Sequence, residues 1–165
     1  MDKYGISKVK AIVEGGKERY HSVFEGLKQT SDADYVLIHD GARPFVNQEI
    51  IRRCMLEVPE YQACVVGMPV KDTIKVVNDR LIVDTPYRPH LYITQTPQVF
   101  KRQLYFEAVT FAEEHALDFT DDCQLIEAIN CKVYMTEGDY INIKITTPED
   151  IAIAEILLAR QKEEA

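Results

Sequence analysis

Four short stretches of this chain set glycine, hydroxyl or charged residues directly beside apolar runs: Glu14-Gly15-Gly16, His39-Asp40-Gly41-Ala42-Arg43-Pro44, Lys71-Asp72-Thr73 and Asn142-Ile143-Lys144-Ile145-Thr146. In an open α/β sheet, ligands bind beyond the carboxyl ends of strands, so these are the places where chemistry could be done. Gly15 and Gly16, with Ser22 following, would let backbone N–H groups and a hydroxyl approach a flat ligand closely, because glycine has no Cβ. A plain turn accounts for the same two glycines. Asp40 and Arg43 set a carboxylate and a guanidinium three residues apart. Such an Asp could bind a sugar hydroxyl or a magnesium ion, and such an Arg could hold phosphate bidentately. An ion pair that only stiffens a loop accounts for them equally well. Arg88, Thr96, Thr120 and Lys144 are further phosphate-compatible donors, scattered in sequence, and only their convergence would make a site.

Positioning such residues requires a framework, and the chain alternates short apolar runs with amphipathic stretches, as β-α-β units around a largely parallel sheet do. Strands are predicted at Lys8–Val13, Tyr35–Ile38, Ala63–Met68, Lys132–Met135 and Ile141–Ile145. Helices are predicted at Glu18–Lys28 with Val23, Phe24 and Leu27 inward, and from an Asn47 cap through Ile50, Ile51, Cys54 and Met55 to a stop at Pro59. Two more cover Gln103–His115 and Asp122–Ile129. Thr147-Pro148-Glu149-Asp150 opens a last helix running to about Gln161, with a hydroxyl cap, proline at the first position and acids in the first turn. Thr73–Val77 and Leu81–Val83, separated by Asn78-Asp79-Arg80, fall outside the alternation and predict a projecting hairpin suited to meeting another chain.

The 165 residues carry 19 Lys and Arg against 27 Asp and Glu, a net charge of −8, and 46% of them are hydrophobic. A chain of this size is expected to form one domain without disulfide or metal staples. The acidic balance without a basic tract argues against nucleic acid or anionic lipid as partner. No apolar run is long enough to cross a bilayer and no signal-like segment follows Met1, so a cytoplasmic protein is expected. Cys54, Cys64, Cys123 and Cys131 show neither a C-x-x-C pattern nor a nearby His at ligand spacing, which predicts buried, reduced thiols.

Six ordered blocks, Val13-Glu14-Gly15-Gly16-Lys17-Glu18-Arg19 through Ser22-Val23, His39 to Val46, Pro69 to Lys75, Gln95 to Phe100, Thr120-Asp121-Asp122 and Asn142 to Asp150, resemble the methylerythritol phosphate cytidylyltransferases of the non-mevalonate isoprenoid pathway. The resemblance implies a Rossmann-like α/β/α nucleotidyltransferase sandwich with a mainly parallel sheet, and transfer of CMP from CTP to methylerythritol phosphate with magnesium assisting. It implies that Gly15, Gly16, Ser22 and Gly41 bind substrate, the first three at the cytosine, and that Asp40 sits where ribose, metal and acceptor meet. Arg43, Thr73, Arg88, Thr96, Thr120 and Lys144 would bind the acceptor or its phosphate, with Asp40, Arg43, Arg88 and Lys144 carrying catalysis. It also implies a single domain over residues 1–165 and a homodimer built through an arm at about residues 71–92, in which Thr73 and Arg88 complete the partner's site.

The chain departs from the pattern at Tyr87, where an Asp is commoner, and at Pro89-His90. It also has no A-A-G-x-G-x-R-M loop, which holds the triphosphate in that family. From this the chain is expected to lack a first β-α unit and to release little pyrophosphate alone. Two alternatives stand beside this expectation: a ribitol-5-phosphate cytidylyltransferase, and a non-catalytic dimerising fragment.

Overall fold

The computed structural model describes residues 2–163 and contains six strands and five α-helices. Met1, Glu164 and Ala165, the ends of the single domain expected from sequence, lie outside the described residues.

Helix α1 (Arg19–Leu27) leads to strand β1 (Tyr35–Ile38), helix α2 (Gln48–Tyr61) and strand β2 (Ala63–Pro69). The hairpin β3 (Val76–Asn78) and β4 (Leu81–Asp84) follows, then β5 (Tyr92–Lys101), α3 (Arg102–Glu114), α4 (Asp122–Ala128), β6 (Tyr134–Glu137) and α5 (Pro148–Glu163). The main sheet has the order β1-β5-β2-β6. β6 is parallel to β2, while β5 runs antiparallel to both β1 and β2, so three of the four strands point the same way.

Alternation along the strands divides the core between two faces. Val36, Ile38, Ala63, Val65 and Phe100 pack on one side with α1, α3 and α4, through Leu27, Tyr105, Ala108, Val109, Leu125 and Ile126. Cys64, Val66 and Val99 face the other side and meet Ile50, Cys54 and Val58 of α2. Helices on both faces of the sheet make the α/β/α sandwich.

Several expectations are corrected. Lys8–Val13 forms no strand and is exposed throughout, because nothing pairs with its backbone. Ile141–Ile145 is also not a strand: a single backbone bond ties it to the neighbouring loop, from the Ile145 N–H to the Ala42 carbonyl (2.8 Å). Helix α2 continues past Pro59 to Tyr61, since a proline so near the end costs one hydrogen bond, and the chain turns off only at Gln62 with φ +62°. Its core stripe is Ile50, Cys54 and Val58, leaving Ile51 and Met55 on the solvent side.

The hairpin is shorter at its start than the sequence suggests, beginning at Val76, and turns on Asp79 and Arg80, both with positive φ (46° and 66°) as a tight hairpin turn requires. Strand β5 is the element the apolar pattern missed. Pro97 argues against a central strand because it cannot donate to a ladder. Here the β1 pairing ends at Gln98, and the β2 register jumps from Val65↔Gln98 to Gly67↔Thr94, so Pro97 falls in the interruption where no donor is required. Cys54, Cys64 and Cys123 are buried free thiols, and Cys131 is half-buried.

Candidate active site

The loop after β1 and the interrupted middle of β5 lie side by side, and hydrogen bonds lock them together. The Asp40 backbone N–H donates to Thr96 Oγ1 (3.0 Å), and the Thr96 hydroxyl also lies 3.0 Å from His39 Nδ1. His39 Nε2 is 3.0 Å from the Arg43 carbonyl, which can only accept. The network therefore assigns the imidazole proton to Nε2, and Nδ1 receives the Thr96 hydroxyl. Asn142, fully buried, donates through Nδ2 to the Thr96 carbonyl (2.9 Å), while its backbone carbonyl accepts from Arg43 Nη1 (2.9 Å). Two loops and a broken strand are thus held in one arrangement by polar bonds rather than by strand pairing.

Asp40 sits at the centre of this arrangement. Lys144 Nζ lies 3.1 Å and Arg43 Nε 3.4 Å from its Oδ2, and Arg19 Nη2 lies 3.7 Å from Oδ1. Burial pushes the Asp40 carboxyl up, but the hydrogen bond and charge of Lys144, with the charges of Arg19 and Arg43, outweigh it and hold the group below its ordinary value. The carboxylate is therefore ionised at neutral pH. Lys144 is nearly half exposed while Arg43 is mostly covered (45% against 11% of the side chain). Lys144 can swing to a ligand, whereas Arg43 is fixed.

These groups open onto a cavity of about 190 Å³, lined by Arg19, Asp40, Arg43, Thr96, Thr120 and Lys144, with Thr94, Gln95, Gln98 and Asp121 completing its wall. Its chemistry is that of a small anion or phosphate ester: two guanidiniums, one ammonium and several hydroxyls, with little apolar surface.

Of the residues singled out from sequence, the structure brings Asp40, Arg43, Thr96, Thr120 and Lys144 to this one cavity. Gly41 sits in the Asp40 loop with open space where a Cβ would be. Gly15, Gly16 and Ser22 form a cluster of their own at the start of α1, where the Gly16 N–H donates to Ser22 Oγ (3.0 Å). A Cβ on Gly16 would stand 2.3 Å from that of His21, so this loop admits only glycine there without shifting. Thr73 and Arg88 do not line the cavity; both are exposed beside the hairpin, and Arg88 Nη1 donates to the Lys71 carbonyl (3.0 Å).

Sequence reasoning missed Arg19, which reaches the cavity from α1 although it stood inside a recognised block. His39, Gln98, Asn142, Asp121 and Asp122 likewise stood inside recognised blocks without an assigned role. A His immediately before Asp40 and paired acids at a helix start were the available signals; their partners lie far off in sequence, which spacing cannot show. Among the described residues, no group of three or more His, Cys, Asp or Glu is arranged to hold a metal ion. Nor is any helix long and apolar enough to cross a membrane.

Comparison with known proteins follows the same lines. A family model described as 2-C-methyl-D-erythritol 4-phosphate cytidylyltransferase matches residues 4–160. The protein of that name from Alkaliphilus oremlandii is 46% identical over 165 residues, spanning 99% of this chain and 70% of the relative. Among solved structures, 4-diphosphocytidyl-2C-methyl-D-erythritol synthase from Anaerococcus prevotii superposes with a TM-score of 0.83 at 36% identity, over 89% of this chain and 69% of the other. The 2-C-methyl-D-erythritol 4-phosphate cytidylyltransferase from Thermus thermophilus gives a TM-score of 0.80 at 33% identity, over 93% and 77%.

Proposed function

The chain belongs to the 2-C-methyl-D-erythritol 4-phosphate cytidylyltransferase family, and from that premise we propose that its Asp40 cavity receives the phosphate of methylerythritol phosphate and presents it to the α-phosphorus of CTP. The reaction transfers CMP and releases pyrophosphate, in isoprenoid biosynthesis. The observation that carries this assignment is the convergence of Arg19, Arg43 and Lys144 on one buried-side carboxylate in a polar cavity. Such a displacement needs little covalent chemistry from the protein. It needs the attacking phosphate held in line and the developing charge neutralised.

Arg43, anchored by the Asn142 carbonyl, serves as the fixed clamp on the acceptor phosphate. Lys144 is the mobile cation, able to leave Asp40 for a phosphoryl oxygen. Thr96 and Thr120 offer hydroxyls to the polyol, and the Gly15-Gly16-Ser22 loop presents backbone donors and acceptors to the cytosine edge. Asp40 offsets the mutual repulsion of the three cations and holds them at the cavity wall.

Magnesium enters this proposal with the nucleotide. Both Asp121 oxygens are engaged, with the Cys123 N–H and with Gln98 Nε2, so of the two carboxylates lining the cavity it is Asp40 that would turn toward a metal, once Lys144 has left it for a phosphoryl oxygen. One carboxylate plus phosphate oxygens and water is an ordinary set of magnesium ligands. The metal would offset the charge of the triphosphate; Arg43, Thr96 and Thr120 would still do the positioning of the acceptor.

The arm is part of the same proposal. The β3–β4 hairpin forms its own two-stranded sheet, and Val76, Val77, Leu81, Ile82 and Val83 are all exposed on it, which suits burial against a second copy. Thr73 and Arg88, remote from this chain's cavity, would then serve the partner's.

Isothermal titration of methylerythritol phosphate into the protein tests the assignment. Saturable binding is expected, weakened about tenfold or more by Arg43→Ala and by Lys144→Ala, as loss of a charge-assisted phosphate contact implies. Ribitol 5-phosphate should bind more weakly, as agreement with methylerythritol enzymes leads one to expect. An absence of binding, or indifference to both substitutions, overturns the assignment.

A further inference from the structure

Behind the cavity lies a polar connection that the transfer of CMP does not itself call for. Asp122, at the first turn of α4, is fully buried, and so is Tyr105 of α3. The Tyr105 hydroxyl donates to Asp122 Oδ1 (2.7 Å), and Arg19 Nη1 of α1 donates to Asp122 Oδ2. The other arm of the same guanidinium, Nη2, points to Asp40 Oδ1 at 3.7 Å. Three helices therefore meet on one buried carboxylate, and the only member that leaves the interior is Arg19, whose side chain is about one-third exposed (35%) at the cavity wall.

We propose that Asp122 is a positioning residue for the reaction: it fixes the Arg19 guanidinium so that one arm stays bonded inside and the other faces Asp40 and the acceptor phosphate. This rests on the assignment of the cavity made above. The physical need is specific. Arg19 on a short helix has a flexible side chain, and opposite an accessible carboxylate it would either close into a bidentate pair with Asp40 or turn to solvent. A buried carboxylate taking Nη1 denies it both alternatives. Asp122 in turn requires its partners, since a buried carboxylate left unpaired is costly. Burial and the neighbouring Asp122 charge push the Tyr105 hydroxyl well above its ordinary range, so Tyr105 remains a donor across the working pH. The neighbouring Asp121 plays a different part: its Oδ1 caps α4 by accepting from the Cys123 N–H (2.6 Å), which leaves Asp122 alone to reach back to α1.

The test combines a spectroscopic signature with binding. In the wild type, ¹⁵N-edited spectra should show separately resolved Nη signals for Arg19, assigned by their disappearance in Arg19→Lys; one averaged line overturns the proposal even if Asp122→Asn misfolds. In Asp122→Asn the amide keeps an acceptor for Tyr105 but turns an N–H₂ toward Arg19. The Arg19 signals should then average, and affinity for methylerythritol phosphate should fall about tenfold, as expected when a charged contact is misplaced by an ångström or so. Tyr105→Phe removes the other bond to the same carboxylate and leaves the ion pair, so it should keep both the signature and the affinity. A loss in Tyr105→Phe equal to that in Asp122→Asn would mean that general loosening of α3 and α4 is responsible, and would sink the positioning role. In the Arg19→Lys background Asp122→Asn should weaken binding no further; additive losses also count against it. If the wild type fails to bind the acceptor, the assignment of the cavity fails, while the Arg19 signature still decides whether Asp122 positions it.

Discussion

At the scale of single residues, the site depends on one carboxylate surrounded by three cations, and its charge state follows from which influence on Asp40 is larger. Burial raises its pKa; Lys144, Arg19 and Arg43 lower it, and together they win. A carboxyl whose folded pKa lies below its unfolded one stabilises the fold at pH above the ordinary carboxylate range, and that stability is lost as pH falls through the folded value. Asp40→Asn should therefore flatten the acid limb of a stability curve below about pH 4, where the carboxylate would otherwise take up its proton. At neutral pH the same variant should cost about 1–3 kcal/mol, because three cations lose their common partner. Urea unfolding at a series of pH values reads both, and an acid limb as steep as that of the wild type would count against the charge arrangement. Asp40, Arg43, Thr96, Thr120 and Lys144 were legible in the sequence because each stands in a block that resembles the family; residue type and spacing alone left Asp40 and Arg43 equally well explained as a loop ion pair. Arg19 and Asp122 were not, because their meaning lies in a pairing across 103 positions that no local pattern encodes.

At the scale of elements, the cavity stands where regular structure stops. β5 loses its register between Val65 and Gly67 of β2, β6 ends at Glu137, and the chain from Asp139 to Thr147 crosses the ends of the strands without joining the sheet. Backbone groups there are satisfied individually: Gln95 Nε2 donates to the Asp139 carbonyl (2.7 Å), and Asp150 accepts from the N–H groups of Thr146 and Thr147 (2.8 Å each) at the start of α5. This explains which elements were readable. Strands with a full apolar run and a covering helix, β1 and β2, match expectation. β5 was hidden by a proline that the interruption tolerates, and Lys8–Val13 and Ile141–Ile145 have strand-like composition but no neighbour to pair with. Gly138 is the tightest point of the crossing: an added Cβ would lie 2.6 Å from Gln95 Oε1, 2.8 Å from Val66 Cγ1 and 3.2 Å from the Gly67 carbonyl. Gly138→Ala must move backbone as well as side chain, so it should destabilise by about 1–3 kcal/mol, the usual cost of overpacking, and displace Gln95 Oε1 from Asn142 Nδ2, which donates to it (3.3 Å). Gly26, which has nothing within 4 Å of the corresponding position, supplies the control. Gly26→Ala should leave the melting temperature unchanged or raise it, since alanine favours the helix. Equal melting temperatures for the two variants would contradict the packing described here.

At the scale of the whole molecule, a well-buried sandwich carries a hairpin that buries nothing. Leu81, Ile82 and Val77 are 71%, 62% and 55% exposed, and an isolated two-stranded hairpin is marginal in water. Covering such side chains gains on the order of 1 kcal/mol each, which is ample to hold two copies together if the contact repeats by symmetry. Dimerisation through the arm would also resolve the other anomaly, that Arg88 and Thr73 do not line the Asp40 cavity of their own chain. Sedimentation should show a dimer that Ile82→Glu converts to monomer without altering the melting of the sandwich; a dimer that survives the substitution would place the interface elsewhere. Stoichiometry decides whether the arm does more than hold the copies together. Arg88→Ala and Lys144→Ala damage different halves of a shared site, so each homodimer should bind methylerythritol phosphate poorly. Mixed in equal amounts and allowed to exchange, half of the dimers would carry one of each chain, and each of these would contain one site with both defects and one with neither. Roughly a quarter of all sites should then recover wild-type affinity. If the mixture binds no better than its components, Arg88 acts within its own chain or not at all, and the arm serves assembly alone.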